Sequence, residues 1–466
     1  MNSQFLTYNL FRRRRKGIPM KREHEFFKSV CNIAIPVTLQ SMLQSSFTIV
    51  DQIMIGQLGS TNIAAIGLAG KFSSIFNVLV AAIGAVAGIM IAQYMGKKDE
   101  KEVNRSLSMN LVVAIGLALI FTVICAIAAG PVMGCYTKDI ETKLIAADYL
   151  RLIGLTFLPV AGATLLATML RCMEKASLPL YASILAALLN TGLNYILIFG
   201  KFGAPAMGVN GAAIATVISQ VANFAVIFAG FVAQHKNQGK RFSFSLQMEK
   251  SRTTQYLAML LPLLITEFLW SIGENVYAMI YGRIGTEDCA AMTLTNPIQG
   301  LLIGALSGLS QAAGILIGKS LGKKDYDKAY GDSKKLMLYG LGGSAILSAL
   351  LILLSRYYVQ IYQVENVVKE IAVQLLIVFA IVSPVKVQNM ILGGGIIRSG
   401  GKTKYLMWID ILGTWGFGVP LGLLSAFVFK LPITWVYFIL SMEECIRLII
   451  SIVVFKRKKW MQSLED

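Results

Sequence analysis

Residues 84–99 read GAVAGIMIAQYMGKKD, and residues 310–325 read SQAAGILIGKSLGKKD. The two stretches lie 226 positions apart, and the offset holds well beyond them. Pro36 falls on Pro262, Gly56 on Gly282, Gly59 on Gly285, and Ala64-Ala65 on Ala290-Ala291. Two apolar, glycine-rich segments can share scattered letters by chance. A charged match, Gly96-Lys97-Lys98-Asp99 on Gly322-Lys323-Lys324-Asp325, in register with all the others is the mark of a duplication. Arg171 and Arg398 then match at an offset of 227, so one insertion lies between.

The repeat sits in a chain of 466 residues that is 55% hydrophobic and only 15% charged. A soluble domain carries roughly 25% charged residues. Apolar residues come in runs such as Leu107 to Ala129, Leu144 to Leu170 and Leu336 to Leu354. Each is near the roughly 20 residues that cross a hydrocarbon core. Twelve spans are expected, near 32–57, 66–95, 107–130, 145–171, 178–199, 208–233, 255–283, 292–321, 335–355, 368–396, 405–429 and 432–455.

Six spans per half is an even number, so both halves enter the membrane in the same sense and are related by an axis along its normal. The fold expected is an all-α polytopic membrane protein, twelve transmembrane helices in two pseudo-two-fold-related six-helix lobes. Residues 1–28 form a basic cytoplasmic N-terminus, 29–233 the N-terminal lobe, 234–254 a cytoplasmic inter-lobe loop, 255–455 the C-terminal lobe and 456–466 a cytoplasmic tail. A cleft between such halves is the geometry of alternating access; duplication for stability alone is the other reading. Gly84, Gly88, Ala92 and Gly96, and their counterparts Ser310, Gly314, Gly318 and Gly322, recur every four residues. Small residues at that spacing let helix backbones approach closely, and this packing is expected within each half.

The net charge of +18 raises the question of nucleic acid, but most of the 43 Lys and Arg fall in the termini and alternate loops. That is the positive-inside pattern, with both termini in the cytoplasm of a multi-pass cell-membrane protein. No nucleic-acid partner is expected. Residues 1–28, with the run Arg12 to Lys16, lack the apolar core of a signal peptide, and Met20 reads as a natural start with 1–19 an upstream extension. The six cysteines form no CxxC pair and the two histidines, His24 and His235, lie in basic stretches, so no metal site is expected. Neither HExxH, GxSxG nor a Walker motif is present, and no enzymatic activity is expected.

Several further residues carry a resemblance. They are Pro36, Gln40, Val50-Asp51, Gly56, Leu58-Gly59 and Ala64-Ala65; then Asn190, Asn194, Gly200, Gly208, Gly211-Ala212-Ala213 and Ala215-Thr216; then Arg398-Ser399-Gly400-Gly401-Lys402-Thr403. With the duplicated halves, the chain resembles the multidrug and toxic compound extrusion (MATE) family over nearly its whole length, leaning toward the bacterial multidrug branch. The resemblance implies a V-shaped two-lobe fold and efflux of organic cations driven by protons or sodium. Lys402 departs from it, since an acidic residue often follows the two glycines.

Ionisable groups at membrane depth cost at least a few kcal/mol and ask for a reason. Gln40, Gln44 and Asp51 stack within about 20° of one helical face, with Thr48 beside them. This reads as a polar seam on a water-filled cavity, with Asp51 able to take up and release a proton; a structural carboxylate is the alternative. The resemblance implies the coupling role. Asn190 and Asn194 lie one turn apart and are expected to face the same cavity with Thr216 and Gln220, although interhelical hydrogen bonding alone would explain them equally. Some relatives carry an aspartate where this chain has Asn194.

In the second half Glu267 and Glu274 share one face, Asn296 neighbours Gln299, and Lys386 neighbours Asn389. A Glu–Lys pair there, replacing a bound sodium ion, stands beside a purely structural pair. Arg151, Asp410, Glu443, Glu444 and Arg447 read as interface anchors or structural pairs. At the 226 offset Asp51 meets Tyr277, so the chemistry of the halves differs where their backbones agree.

The reading that unites these features is a monomeric secondary active multidrug efflux transporter. It exports small cationic drugs by alternating access and needs no cofactor beyond the coupling ion, H+ or Na+. The alternative is a lipid-linked precursor flippase of the same superfamily, which would need a large basic cavity.

Overall fold

A computed structural model describes residues 3–237, 243–245, 250–362 and 364–465. The side chains of residues 3–22 and of Thr48, the last expected on the Asp51 stripe, lie outside the described ones. Among the described residues the chain is helical, with no strand. The first six helices are α1 (Ser3–Gly56), α2 (Ser60–Lys97), α3 (Glu100–Tyr136), α4 (Ile140–Cys172), α5 (Ser177–Phe199) and α6 (Gly208–Asn237). The second six are α7 (Lys250–Ile284), α8 (Thr286–Gly322), α9 (Tyr326–Gln360), α10 (Asn366–Ile397), α11 (Thr403–Val428) and α12 (Ile433–Lys456). Among the described residues, eleven are long and apolar enough to cross a membrane. The remaining one, α12, carries Glu443, Glu444 and Arg447 in its middle.

Several helices start earlier than the apolar runs suggest. The run of α3 is expected from 107 and that of α9 from 335, but the helices begin at Glu100 and Tyr326. The cause is the Gly-Lys-Lys-Asp repeat itself. Lys98 and Lys324 take left-handed backbone conformations, with φ of 66° and 57°, and each closes its helix through its N–H. One residue later Asp99 and Asp325 cap the next helix, accepting from the N–H groups of Glu102 and Lys328 at 3.2 Å. A capped first turn needs no apolar residues, so the polar turns 100–106 and 326–334 are helical although they read as loop. The motif is a helix stop followed by a helix start, built twice.

The lobes meet where α1 and α2 pack against α8. A Cβ on Gly96 would overlap the carbonyl of Lys319, and one on Gly322 would overlap the carbonyl of Gln93. Gln93 and Lys319 are themselves equivalent by the 226 offset. Each helix thus offers the same glycine to the same position of its partner, so the pseudo-two-fold axis passes through the α2–α8 crossing. The expectation that the small-residue stripes pack within each half is therefore corrected. Gly84 and Gly88 do face Thr164 and Thr168 of α4, and Gly314 faces Gly395 of α10. Gly96, Gly318 and Gly322 pack across the lobes instead, Gly318 against Ala92. One stripe can serve both contacts because successive small residues drift round the helix as it passes from its own lobe to the other.

From this crossing the inter-lobe seam climbs to mid-helix. There Thr38 donates to the Ala305 carbonyl at 3.0 Å and the Ser41 and Ser307 hydroxyls lie 3.1 Å apart. At the glycine-lysine end it is reinforced by Lys319–Glu174 at 2.7 Å, and by Gln93, which donates to the Ser399 carbonyl at 2.7 Å. The C-terminal segment lies across the same end. Trp460 is fully buried, Leu464 donates its N–H to the Gln93 side chain at 2.8 Å, and Lys97 pairs with Glu465 at 2.7 Å.

Candidate functional site

In the N-terminal lobe, Asp51 near the end of α1 accepts a short hydrogen bond from Asn194 Nδ2 on α5. The same amide reaches Asn190 Oδ1 at 3.2 Å, and Asn190 Nδ2 donates to Thr216 Oγ1 on α6 at 3.3 Å. Three helices are thereby joined through four of the side chains expected from the sequence. Asn194 is fully buried, yet its Oδ1 has no hydrogen-bond partner. Buried amide oxygens are almost always satisfied, so this one asks for a reason.

The rest of the expected seam lies elsewhere. Eleven residues separate Gln40 from Asp51, roughly 16 Å along a helix, so a shared face does not mean a shared site. Gln40 donates to Ser183 Oγ at 2.7 Å and accepts from Arg171 at 3.0 Å. Gln40, Gln44, Thr216 and Gln220 line a cavity of about 440 Å3 inside the lobe, together with Tyr149 and Arg171. Arg171 is legible in the sequence as a repeat landmark at the end of the expected fourth span, but not as a cavity residue. It is in fact the penultimate residue of α4, with its side chain turned into the lobe.

The C-terminal lobe holds a denser assembly. Tyr277, the counterpart of Asp51, donates to Glu443 on α12. Arg447, one turn on, lies 3.6 Å from Glu443 and 3.7 Å from Asp410 of α11, and donates to Thr414. Lys386 of α10 sits 3.9 Å from Glu444, to which Asn389 donates at 2.8 Å. The lysine's expected acidic partner is thus present, but it comes from α12 and not from the seventh span. Glu443, Glu444 and Arg447 are the centre of the lobe, not anchors at its rim, whereas Arg151 does make an exposed pair with Asp148 at 2.7 Å. Close approach is licensed by glycines: a Cβ on Gly413 would overlap Arg447, and one on Gly418 would overlap Glu443 and Tyr277. Both glycines lie in a π-helical stretch of α11, residues 411–418, the kind of irregular turn that often marks functional positions.

Glu267 and Glu274 share a face but not an environment. Glu274 is exposed, while Glu267 lines a cavity between the lobes. Gln299 accepts from Tyr437 at 3.0 Å and donates to Thr295 at 2.8 Å. Its expected neighbour Asn296 is exposed and makes no hydrogen bond among the described residues. The inter-lobe cavity, about 260 Å3, is also lined by Arg171 and Arg398.

Comparison with known proteins agrees with this architecture. The sequence profile of the MatE family matches residues 36–196 and 262–424, one segment in each half. The chain is 22% identical over 452 residues, 96% of its length and 98% of the other's, to "Uncharacterized transporter YisQ" of Bacillus subtilis (strain 168). It is 27% identical over 329 residues, 70% of each chain, to "Probable multidrug resistance protein NorM" of Agrobacterium fabrum. In fold it matches a crystal structure of MATE in complex with MaL6 with a TM-score of 0.85 at 18% identity, covering 92% of this chain and 96% of that one. An outward-facing multidrug resistance MATE family transporter of the MOP superfamily matches with a TM-score of 0.84, also at 18% identity. Twelve helices in two six-helix lobes, a duplicated landmark motif and a family profile that covers both halves lead to one conclusion: the chain is a multi-pass membrane protein that belongs to the MatE family.

Proposed function

We propose that this protein is a secondary active multidrug efflux transporter that exports organic cations by alternating access, coupled to inward movement of H+ or Na+ at Asp51. The observation that carries the coupling assignment is the Asp51–Asn194 contact. A carboxylate expected at membrane depth accepts from an amide whose own buried oxygen has no partner. A proton or a small cation at the carboxylate would neutralise it, and a membrane carboxylate that is not so used is costly. Driving an equilibrium from 1:99 to 99:1 takes roughly 5.5 kcal/mol of differential binding, within reach of one such site.

The distribution of inter-lobe contacts supports rocking lobes. The seam is built from the glycine-lysine end to mid-helix. By the positive-inside pattern that end is cytoplasmic, as are both termini, and the protein works in the cell membrane. Lobes closed there and parted opposite would present an outward-facing state. The relatives named for multidrug resistance support small cationic drugs as substrates. A lipid-linked precursor flippase is less well supported, because the cavity that holds two arginines measures only about 260 Å3 and shares its wall with Glu267. The protein is expected to work as a monomer with no cofactor beyond the coupling ion.

The test is accumulation of a fluorescent organic cation in cells that express the wild type or Asp51→Asn, with protonophore added or sodium withdrawn. Export by the wild type and its loss in the variant are expected. Export that persists in Asp51→Asn at full rate removes the coupling assignment, and absence of export by the wild type removes the function.

A further inference from the structure

Arg171 lies one residue before the end of α4 and Arg398 follows α10, at equivalent places in the two repeats, and both line the inter-lobe cavity that Glu267 also borders. Among the described residues no carboxylate lies within ion-pairing distance of either guanidinium, although Glu267 and Asp410 both act on Arg398 at longer range. Arg171 donates to the neutral Gln40, and its Nε is buried without a partner. Among the described residues the Arg398 side chain makes neither a hydrogen bond nor an ion pair. Glu267 is the carboxylate on the cavity wall, and it too stands beyond ion-pairing distance. Two guanidinium groups against one carboxylate leave the cavity net positive. The other polar lining, Thr164, Thr168, Ser310, Gln311 and Ser399, is uncharged.

A buried arginine is expensive unless its donors are met, and removal of a partner from a buried ion is more costly than removal of the whole pair. Here the fold holds two half-buried guanidinium groups at one cavity, one from each lobe. The glycine crossing at Gly96 and Gly322 places the pseudo-two-fold axis between the lobes. A ligand on the axis would meet one guanidinium from each lobe. A carboxylate or phosphate, with equivalent oxygens pointing both ways, suits this donor set, since guanidinium groups bind such oxygens in fork geometry.

We infer that the cavity between Arg171 and Arg398 binds the anionic head of an amphiphile, a carboxylate or phosphate held jointly by the two lobes. Gly84, Gly88, Gly314, Gly394 and Gly395 supply the space. Because one arginine comes from each lobe, such a ligand ties the lobes together. The inference concerns binding alone and stands whether or not Asp51 couples transport.

The test uses full-length protein purified in an uncharged detergent and stripped of lipid. Dodecanoate, dodecyl phosphate and dodecyltrimethylammonium are titrated by calorimetry. Saturable binding of the two anions near one per chain is expected, with the cation at least tenfold weaker. Arg171→Gln and Arg398→Gln should each weaken the anions about ten- to hundredfold, the worth of one charged hydrogen-bonding partner. Arg171→Lys and Arg398→Lys keep the charge and serve as folding controls, with a smaller loss. Native mass spectrometry of protein as first purified then separates the sources. An anionic lipid that co-purifies with the wild type and is lost in Arg398→Gln makes the ligand a headgroup; its absence, with dodecanoate still bound, makes it a free amphiphile. Equal binding of cation and anions, or anion affinity unchanged in both glutamine variants, overturns the inference.

Discussion

Asn194 lies wholly inside the N-terminal lobe and gives its amide to Asp51, while its own Oδ1 is left without a partner. The pair links α1 to α5, and Asn190 and Thr216 extend the link to α6. In Asn194→Ala the carboxylate loses its donor and the chain is cut. Loss of a hydrogen bond to a charged group is expected to cost about 1.5–3 kcal/mol of stability. Cation export should fall with it, whereas Asn296→Ala, which removes an exposed and unbonded side chain, should change neither thermal unfolding nor export.

The glycine crossing gives a prediction in which the sign differs between positions. A methyl on Gly96 meets the Lys319 backbone, which has nowhere to go, so Gly96→Ala should destabilise by about 1–3 kcal/mol or more. Gly116 of α3 has open space about its Cβ position, and Gly116→Ala should stabilise by about 0.5–1 kcal/mol through helix propensity alone. Thermal unfolding of the purified variants in detergent would show a lowered midpoint for the first and an unchanged or raised one for the second. Equal effects would mean that the α2–α8 contact is looser than described.

Buried Glu443 and Arg447 and half-buried Asp410 form a set in which each carboxylate faces the same guanidinium. Arg447→Met leaves two carboxylates unpaired and should cost about 3–5 kcal/mol. The double variant Arg447→Met/Glu443→Gln removes part of the mismatch and should recover stability relative to the single one. If the double variant is the less stable by the sum of both losses, the three groups act independently.

Asp139 opens α4 outside the membrane-spanning segments. The Thr142 side chain and N–H, the latter at 2.9 Å, both favour its ionised form, so its carboxyl titrates below the usual aspartate value. A depressed value means that the cap contributes fully above about pH 4 and is lost as pH falls through the lower folded value. Protection of residues 140–145 from hydrogen exchange, taken relative to the intrinsic rate at each pH, should therefore fall under acid in the wild type. In Asp139→Ala it should be low at all pH values, with no further acid response from this turn.

Lys402 begins α11 and makes no side-chain cap, where an acidic residue would accept from the free N–H groups of the first turn. Lys402→Asp should stabilise the protein by about 0.5–2 kcal/mol. A lowered unfolding midpoint would show that the lysine has a role beyond the cap position.

The twelve helices, the duplication and the four-residue stop-and-start motif were all legible in the chain, because periodicity and composition report on what each segment meets locally. Asp51, Asn190, Asn194 and Thr216 were also legible as a group, since polar residues at membrane depth are few and each must find a partner. Arg171 and Arg398 were visible as matching letters but not as cavity residues. An arginine at a helix end reads the same whether it points to water or to the lobe interior.

The C-terminal assembly shows where the tertiary structure decides. Lys386, Asp410, Glu443 and Arg447 lie on three helices, and no spacing along one chain tells which of them meet. Likewise the small-residue stripe announces close packing but not its partner, and only the crossing of α2 on α8 directs Gly96 and Gly322 across the lobes. The sequence by itself determined the helices, the two-fold plan and the polar residues that need company. The tertiary structure decided the pairing, because in a bundle the neighbours of a side chain are set by helix crossings that involve residues hundreds of positions away.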